Sequence, residues 1–131
     1  MTAPSDRAAP RIAVLADDLI WSTRLVQGVR RAGADPVPVR TATAIDDGLA
    51  GAAGCVVDLT ARAYDGVAAL RQAAAAGVPA IAVGQHDDAA LRRAARDAGA
   101  SRVFAYRALF EHGDRELGAW IAGLAAPEEE A

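Results

Sequence analysis

The stretch CVVDLTARAYDG, residues 55–66, joins a short apolar segment to two acidic residues. Residues 55–57 are all apolar, which predicts a strand that is covered on both faces. Asp58 follows at the carboxyl end of that strand, and Asp65 and Gly66 precede an alanine-rich helix. In open α/β sheets, the carboxyl ends of the strands border the crevice that holds ligands. The stretch therefore predicts an α/β sheet with Asp58 at its functional edge.

The same alternation of strand and helix continues on both sides of this stretch. Strands are predicted at residues 11–16, 37–40, 55–58, 79–84 and 102–106, and helices at about 22–32, 44–50, 66–76 and 89–98, with a last helix from Leu109 to Leu124. Apolar strands that alternate with helices predict a parallel sheet with helices on both faces. Five strands fit the flavodoxin-like order 2-1-3-4-5. Pro36 and Pro38 place strand two at an edge, because proline cannot donate to the ladder.

Composition predicts one globular domain. The chain has 131 residues, of which 53% are hydrophobic and 24% charged. We expect a loose leader at residues 1–10, one domain at 11–125 and a solvated acidic tail at 126–131. No segment predicts a membrane span or a signal peptide, so a cytoplasmic protein is expected. No output domain follows residue 125, so the sequence predicts a stand-alone domain.

Charge and residue usage exclude several kinds of chemistry. The net charge of −3 argues against a nucleic-acid surface, which needs a basic stripe. Lysine is absent, which excludes a Schiff base or an ammonium at a phosphate site. Cys55 is the only cysteine and falls in a predicted buried strand, so neither an intramolecular disulfide nor a metal thiolate cluster can form. His86 follows strand four and His112 lies far from it, and both are expected on the surface.

The strand order 2-1-3-4-5 would bring Asp17, Asp18 and Asp58 together, since strands one and three become neighbours. Three carboxylates at one edge repel each other unless a cation neutralises them, and Mg²⁺ prefers such oxygen ligands. Simpler roles remain open for each residue. Asp17 or Asp18 would cap helix one, and Asp58 would be a loop carboxylate that is solvated or bonded to the backbone.

Taken together, these features resemble a response-regulator receiver domain, the phosphorylatable module of two-component signalling. The resemblance covers residues 11–125 and rests on the Asp17-Asp18 pair, on Asp58, on the D-x6-DG spacing to Asp65-Gly66, and on AGAS at 98–101. It implies that Asp58 is the phosphoacceptor. It also implies that Asp17, Asp18, Asp58 and the carbonyl of Thr60 would hold Mg²⁺.

The chain departs from the family at the positions that sense the phosphoryl group. Gly84 stands where the family has serine or threonine after strand four, and Tyr106 stands where it has lysine. The usual proline after that lysine is Arg107. The switch aromatic is replaced by Val103, and Phe104 is predicted to point to the opposite face. Arg62 or Arg107 would be the remaining source of positive charge at the pocket.

The resemblance and the departures together predict an atypical, non-enzymatic receiver-like domain that acts by binding a signalling protein, with phosphorylation at Asp58 lost or altered. The implied partner is a histidine kinase or an output protein, and a homodimer is an alternative. The family docks through helix four, strand five and helix five, where Arg92, Arg93 and Arg96 would form either a solvated face or a docking patch. Two other functions stay open: a working receiver phosphorylated on Asp58 with Mg²⁺, and an α/β module that binds a small molecule.

Overall fold

The computed structural model of the protein describes residues 9–85 and 87–125. The predicted tail, His86 and most of the predicted leader lie outside these residues. The elements along the chain are β1 (Arg11–Leu15), α1 (Leu19–Arg31), β2 (Asp35–Val39), a 3-10 turn (Ala42–Ala44) that runs into α2 (Ile45–Leu49), β3 (Gly54–Asp58), α3 (Gly66–Ala75), β4 (Ala80–Gly84), α4 (Ala89–Asp97), β5 (Ala100–Ala105) and α5 (Tyr106–Ala125).

The five strands form one parallel sheet in the order β2-β1-β3-β4-β5. The predicted flavodoxin-like fold is therefore confirmed. In the register, Leu15 is paired with Val57 and Asp58 with Val83. Asp58 is thus the last residue of the central strand, at the edge to which the ends of β1 and β4 also lead.

Each face of the sheet has its own apolar core. One core packs α2, α3 and α4 against the sheet and contains Leu15, Val57 and Val103. The other packs α1 and α5 against the opposite face and contains Val14, Val56 and Phe104. Val103 and Phe104 therefore point to opposite faces, as the alternation along a strand predicts. The helices on the two faces thus fix the positions of the carboxyl ends of the strands.

Several boundaries differ from the sequence prediction. Helix α1 begins at Leu19 instead of Ser22, because the side chain of Asp18 accepts a hydrogen bond from the backbone N–H of Trp21 at 3.0 Å and caps the helix. Strand β5 ends at Ala105, so the prediction that Tyr106 ends this strand was wrong. Its neighbour β4 ends at Gly84, which pairs with Ala105, and Tyr106 has no strand left to pair with.

Helix α4 begins after a capping aspartate. Asp88, and not Asp87, caps the helix by accepting from the backbone N–H of Leu91 at 3.0 Å. Ala90 lies in the first turn of this helix and is exposed. Ala95 is fully buried, so the contact with the sheet is made further along the helix.

Strand β2 occupies one edge of the sheet, as its prolines predict. The backbone N–H of Asp35 donates to the carbonyl of Pro10 at 2.8 Å, on the side towards β1. Because the backbone alternates along a strand, the nitrogens of Pro36 and Pro38 face away from β1. The two prolines thus cost the sheet no hydrogen bond.

Helix α5 is broken at His112, where φ is −130° and ψ is 18°. Gly113 follows directly, and a glycine inside a helix lowers its stability. Leu109, Leu117 and Ile121 are buried on either side of the break. Of the helices in the described ranges 9–85 and 87–125, none is long and apolar enough to cross a membrane.

Candidate functional site

Asp58 lies at the carboxyl end of β3, and one of its two carboxylate oxygens accepts hydrogen bonds from the chain itself. The residue is 1% exposed. Its Oδ1 accepts from the backbone N–H of Thr60 at 3.0 Å and from the Thr60 hydroxyl at 2.9 Å. The phenol of Tyr106 donates to the same oxygen and also contacts the Thr60 hydroxyl. The carboxylate is thus bonded to the backbone, as one interpretation of the sequence had it, but it is buried and not solvated.

The other two predicted carboxylates have separate partners. Oδ2 of Asp17 accepts from the backbone N–H groups of Arg62 and Ala63, both at 2.8 Å. These bonds tie the end of β1 to the loop that follows β3. Asp18 caps α1, which is the simpler role that the sequence left open for one member of the pair. Each of the three acidic side chains is therefore engaged with a different donor of the chain itself.

The arrangement can be tested against the Mg²⁺ that the resemblance implies. The donor types fit, since Mg²⁺ takes oxygen ligands, often from one or two carboxylates. The placement does not: within residues 9–85 and 87–125, no three side chains of histidine, cysteine, aspartate or glutamate come together as a metal-binding group. In addition, Oδ1 of Asp58 accepts three hydrogen bonds and Oδ2 of Asp17 accepts two, so one oxygen of each carboxylate is already engaged within the chain. In this conformation the residues do not form a magnesium site.

Tyr106 closes the pocket above Asp58. It is the first residue of α5, and its ring packs against Trp21 with 4.3 Å between the ring centroids and 35° between the planes. Burial raises the pKa of the Tyr106 phenol above its usual value, and the hydrogen bond to Asp58 raises it further. The phenol therefore stays protonated and remains a donor to the carboxylate.

A cavity of about 540 Å³ lies on the solvent side of Tyr106. Its lining residues are Asp17, Asp18, Trp21, Thr60, Arg62, Gln85 and Tyr106. Asp58 does not line it, because Thr60 and Tyr106 lie between the carboxylate and the cavity. Trp21 is thus at the mouth of the site.

Gly84 ends β4 without a side chain, and Leu59 fills the space beside it. A Cβ atom built on Gly84 would lie 3.2 Å from Cδ1 of Leu59, which is tighter than an ordinary carbon contact. Leu59 is buried. The family's hydroxyl is therefore missing from this position, and its place is partly taken by an apolar neighbour.

The two arginines considered as replacement charges differ in position. Arg62 is exposed and lines the cavity, while its backbone N–H is bonded to Asp17. Arg107 is on the outer surface, where its Nε lies 3.6 Å from Glu111. Of these two arginines, only Arg62 lines the cavity and could bind an anion there.

Tyr64 is a site residue that the sequence reasoning missed. Its hydroxyl donates to the carbonyl of Leu15 at 2.5 Å and lies 3.2 Å from the carbonyl of Asp58. It joins the ends of β1 and β3, which together form the base of the crevice. Burial, followed by the charge of Asp58, raises the pKa of Tyr64. An aromatic residue in the loop, just before the Asp65 cap of α3, was the available signal.

Cys55 and the α4 arginines take structural positions. Cys55 is a free, buried thiol, and burial raises its pKa to about 12, so it is not a nucleophile at neutral pH. Arg92 donates to the carbonyl of Val103 at 3.4 Å and is part-buried, whereas Arg93 and Arg96 are exposed. Arg92 therefore helps to join α4 to β5, and only the other two belong to a solvated face.

Comparison with known proteins extends these observations to the fold as a whole. No family sequence model matches the chain, and no curated protein sequence does. Several solved structures do match the chain. A two-component response regulator from Clostridium difficile superimposes with a TM-score of 0.76 at 9% identity, over 89% of this chain and 99% of that one. A response regulator from Thermotoga maritima gives a TM-score of 0.73 at 12% identity, over 87% and 98%.

A third structure carries a metal. The receiver domain of a sensor histidine kinase from Pseudomonas aeruginosa, with a magnesium ion coordinated in its active-site cleft, has a TM-score of 0.73 and 21% identity, over 88% of this chain and 99% of that one. The three similarities cover nearly the whole of the chain and of each known domain. This protein therefore has the fold of response-regulator receiver domains.

Proposed function

We propose that this protein is a receiver-fold signalling module that acts by binding another protein, and that it does so without the usual phosphorylation at Asp58. One observation carries the proposal: the phenol of Tyr106 is hydrogen-bonded to the carboxylate of Asp58 and closes it off from the cavity. The receiver fold supports the assignment to two-component signalling.

The chemistry of phosphoryl transfer explains why this contact matters. A carboxylate can attack a phosphorus atom only if an oxygen is accessible and if a cation offsets the repulsion between the two anions. Oδ1 of Asp58 already accepts three hydrogen bonds, and the residue is 1% exposed. A phosphodonor in the cavity would meet Thr60 and Tyr106 first.

The positions that would hold a phosphoryl group support the same conclusion. Gly84 offers no hydroxyl, and Tyr106 offers a neutral phenol in place of an ammonium. A phenol that remains protonated can donate one hydrogen bond but cannot neutralise the charge of a phosphoryl group. Signalling would then depend on how much of the protein is present and on the conformation that a partner selects.

The decisive experiment is treatment with acetyl phosphate and Mg²⁺, followed by intact-mass measurement. We expect no phosphoryl adduct, and no change in the tryptophan fluorescence of the protein when Mg²⁺ alone is added. The matched control is Asp58→Asn under the same conditions. An adduct that forms on the parent protein and disappears in Asp58→Asn would contradict the proposal.

That contrary result would support the alternative, a working receiver phosphorylated by a histidine kinase or phosphotransfer protein. The observation in its favour is that Asp17, Asp18 and Thr60 all line the cavity next to Asp58. A movement of Tyr106 would be enough to expose the carboxylate to these groups. Mg²⁺ would then be the cofactor, held by Asp17, Asp18, Asp58 and the carbonyl of Thr60.

The partner in either case is proposed to be a cytoplasmic signalling protein, docked on the face formed by α4, β5 and α5. On this face Arg93, Arg96 and Arg102 are exposed, with Arg102 lying 3.6 Å from Glu116. A second copy of this chain is the other candidate. Sedimentation equilibrium of the purified protein distinguishes the two, because only self-association depends on its own concentration.

A further inference from the structure

Helix α5 is divided into two segments by the break at His112. The backbone there has a φ of −130° and a ψ of 18°, where a regular helix has about −63° and −42°. Gly113 follows, and a glycine is a weak point in a helix because it loses more conformational freedom than other residues. We call residues 106–111 the first segment and residues 114–125 the second segment. The two segments differ in how the rest of the protein holds them.

The second segment packs tightly against the sheet and α1. A Cβ atom built on Gly28 would lie 2.7 Å from Cδ1 of Leu117, and one built on Gly54 would lie 2.6 Å from Cδ1 of Leu124. Side chains do not approach a Cβ atom this closely, so the helix lies where only glycine leaves room for it. Leu117 and Ile121 are buried in the core beneath the helix. The second segment therefore cannot leave its place without opening this core.

The first segment has fewer such contacts. Of the side chains that the structure describes in it, Leu109 alone is buried, and Arg107 and Glu111 are exposed. A cavity of about 560 Å³ lies between α1 and α5, and Leu109, Glu111, His112 and Gly113 are among its lining residues. Side chains next to unfilled space lose packing contacts on that side. Regions with few buried apolar contacts are the ones that open most easily.

We infer that the first segment is a gate over Asp58, which opens while the second segment and the sheet keep their places. Tyr106 begins the segment and donates to the Asp58 carboxylate, so opening breaks this hydrogen bond and exposes the carboxylate to the cavity of about 540 Å³. Ala105, which precedes Tyr106, stays paired with Gly84 in the sheet. The movement is therefore a local unwinding of residues 106–113 between two fixed points.

Opening also alters the outer surface of α5. Arg107 and Glu111 are exposed one helical turn apart, with 3.6 Å between Nε of the arginine and Oε2 of the glutamate. Unwinding separates them, so a protein that binds either side chain in the unwound state raises the population of exposed Asp58. The gate rests on the closure of Asp58 that carries the proposed function, and it adds the part of the chain that controls this closure.

Native-state amide hydrogen exchange of the whole protein, measured by NMR, tests the gate. The amides of residues 110–112 have their helical acceptors in the first segment, at residues 106–108. We expect these amides to exchange at least about tenfold faster than those of residues 118–124, because a local opening releases them and leaves the second segment intact. Equal rates in the two groups would overturn the inference.

Two glycine substitutions locate the opening. Gly113→Ala favours the helix at the break, so it should slow the exchange of amides 110–112 about fivefold. Gly118→Ala is the matched control, since an added Cβ meets nothing within 4 Å there and lies 3.9 Å from Cδ2 of Leu109 at Gly113. Residue 118 stays helical in the open state, so this variant should leave amides 110–112 unchanged. The same slowing in both variants would mean that the whole helix opens together, which contradicts the gate.

Two tyrosine substitutions test the link to Asp58. Tyr106→Phe removes the hydrogen bond that opening breaks, so amides 110–112 should exchange about tenfold faster. Tyr64→Phe removes the hydrogen bond from its hydroxyl to the carbonyl of Leu15, which opening leaves intact, so the same amides should keep their rate. Unchanged exchange of these amides in Tyr106→Phe, or an equal acceleration in both variants, would rule out the gate.

These measurements need no phosphodonor, so their outcome is separate from the test of the proposed function. A phosphoryl adduct on Asp58 would contradict the proposed function and leave the gate standing. Uniform exchange along α5 would contradict the gate and leave the proposed function standing. The exposed carboxylate still faces neither a hydroxyl at position 84 nor an ammonium at position 106, so opening is compatible with an unphosphorylated Asp58.

Discussion

The phenol of Tyr106 donates a hydrogen bond to the carboxylate of Asp58 across 48 positions of sequence. The contact joins the start of α5 to the end of β3, at the carboxyl edge of the sheet. The buried acidic residue thus acquires a donor inside the protein, and the chain closes its own pocket. The consequences of this contact can be measured in several independent ways.

Tyr106→Phe should lower the free energy of unfolding by about 1.5–3 kcal/mol, the usual worth of a hydrogen bond to a charged group. The ring and its packing on Trp21 are retained, so the loss reports on the hydroxyl alone. Urea unfolding followed by circular dichroism measures it. Thr60→Ser is the matched control, because it keeps the other hydroxyl at Asp58, and it should unfold within experimental error of the parent protein.

The double variant Gly84→Ser with Tyr106→Lys should accept a phosphoryl group from acetyl phosphate in the presence of Mg²⁺. It returns a hydroxyl and an ammonium to the crevice and removes the phenol from Asp58. Leu59 must shift to admit the new side chain, at a cost of about 1–3 kcal/mol in stability. Intact mass detects the adduct, and the triple variant with Asp58→Asn should show none. If the double variant folds and stays unmodified, the proposed role of Tyr106 in blocking Asp58 is contradicted.

Tyr64→Phe should destabilise the protein by about 1–3 kcal/mol, because the buried carbonyl of Leu15 loses its hydroxyl partner. The phenylalanine ring occupies the same space, so packing is preserved. The measurement is thermal or urea unfolding at neutral pH. Substitution of an exposed residue of the same loop, Arg62→Gln, serves as the control and should leave stability close to that of the parent protein.

The native protein should show almost no tyrosinate at a pH of about 11, where a free tyrosine is largely ionised. Both tyrosines of the chain, Tyr64 and Tyr106, have pKa values raised by burial. The unfolded chain releases these protons more readily, so the free energy of unfolding is at its full value below a pH of about 10 and falls as the pH rises further. Absorbance of tyrosinate against pH, in buffer and in urea, checks this. Identical titration curves would contradict the burial of both phenols.

The sheet could be predicted from sequence because its evidence is local. Each strand is a short apolar run, and the order of strands follows from general rules for parallel sheets. The first residues of the helices were harder to predict. Asp18 and Asp88 both cap a helix, but each has a second aspartate as its neighbour, and either member of the pair is a suitable cap residue. Which of two adjacent aspartates caps the helix depends on the backbone conformation at that point, and the residue types alone do not determine it.

The side-chain contacts at the site could not be predicted from the sequence, for a different reason. That Tyr106 occupies the lysine position followed from spacing, but its hydrogen bond to Asp58 depends on how α5 leaves the sheet. Strand β5 ends one residue earlier than predicted, and the phenol begins a helix that directs it over the crevice. Leu59 beside Gly84 and Tyr64 beneath Asp58 are likewise results of packing, since nothing in the sequence pairs them in advance.

The outward-facing nitrogens of Pro36 and Pro38 have a consequence for the behaviour of the protein at high concentration. An exposed strand normally offers a neighbouring molecule alternating donors and acceptors, which is how sheets extend from one molecule to the next. At this edge only carbonyl oxygens remain, so a second strand cannot form a complete ladder. The β2 edge therefore resists the addition of a strand from another molecule, and such pairing is left to the opposite edge, β5, which contains no proline.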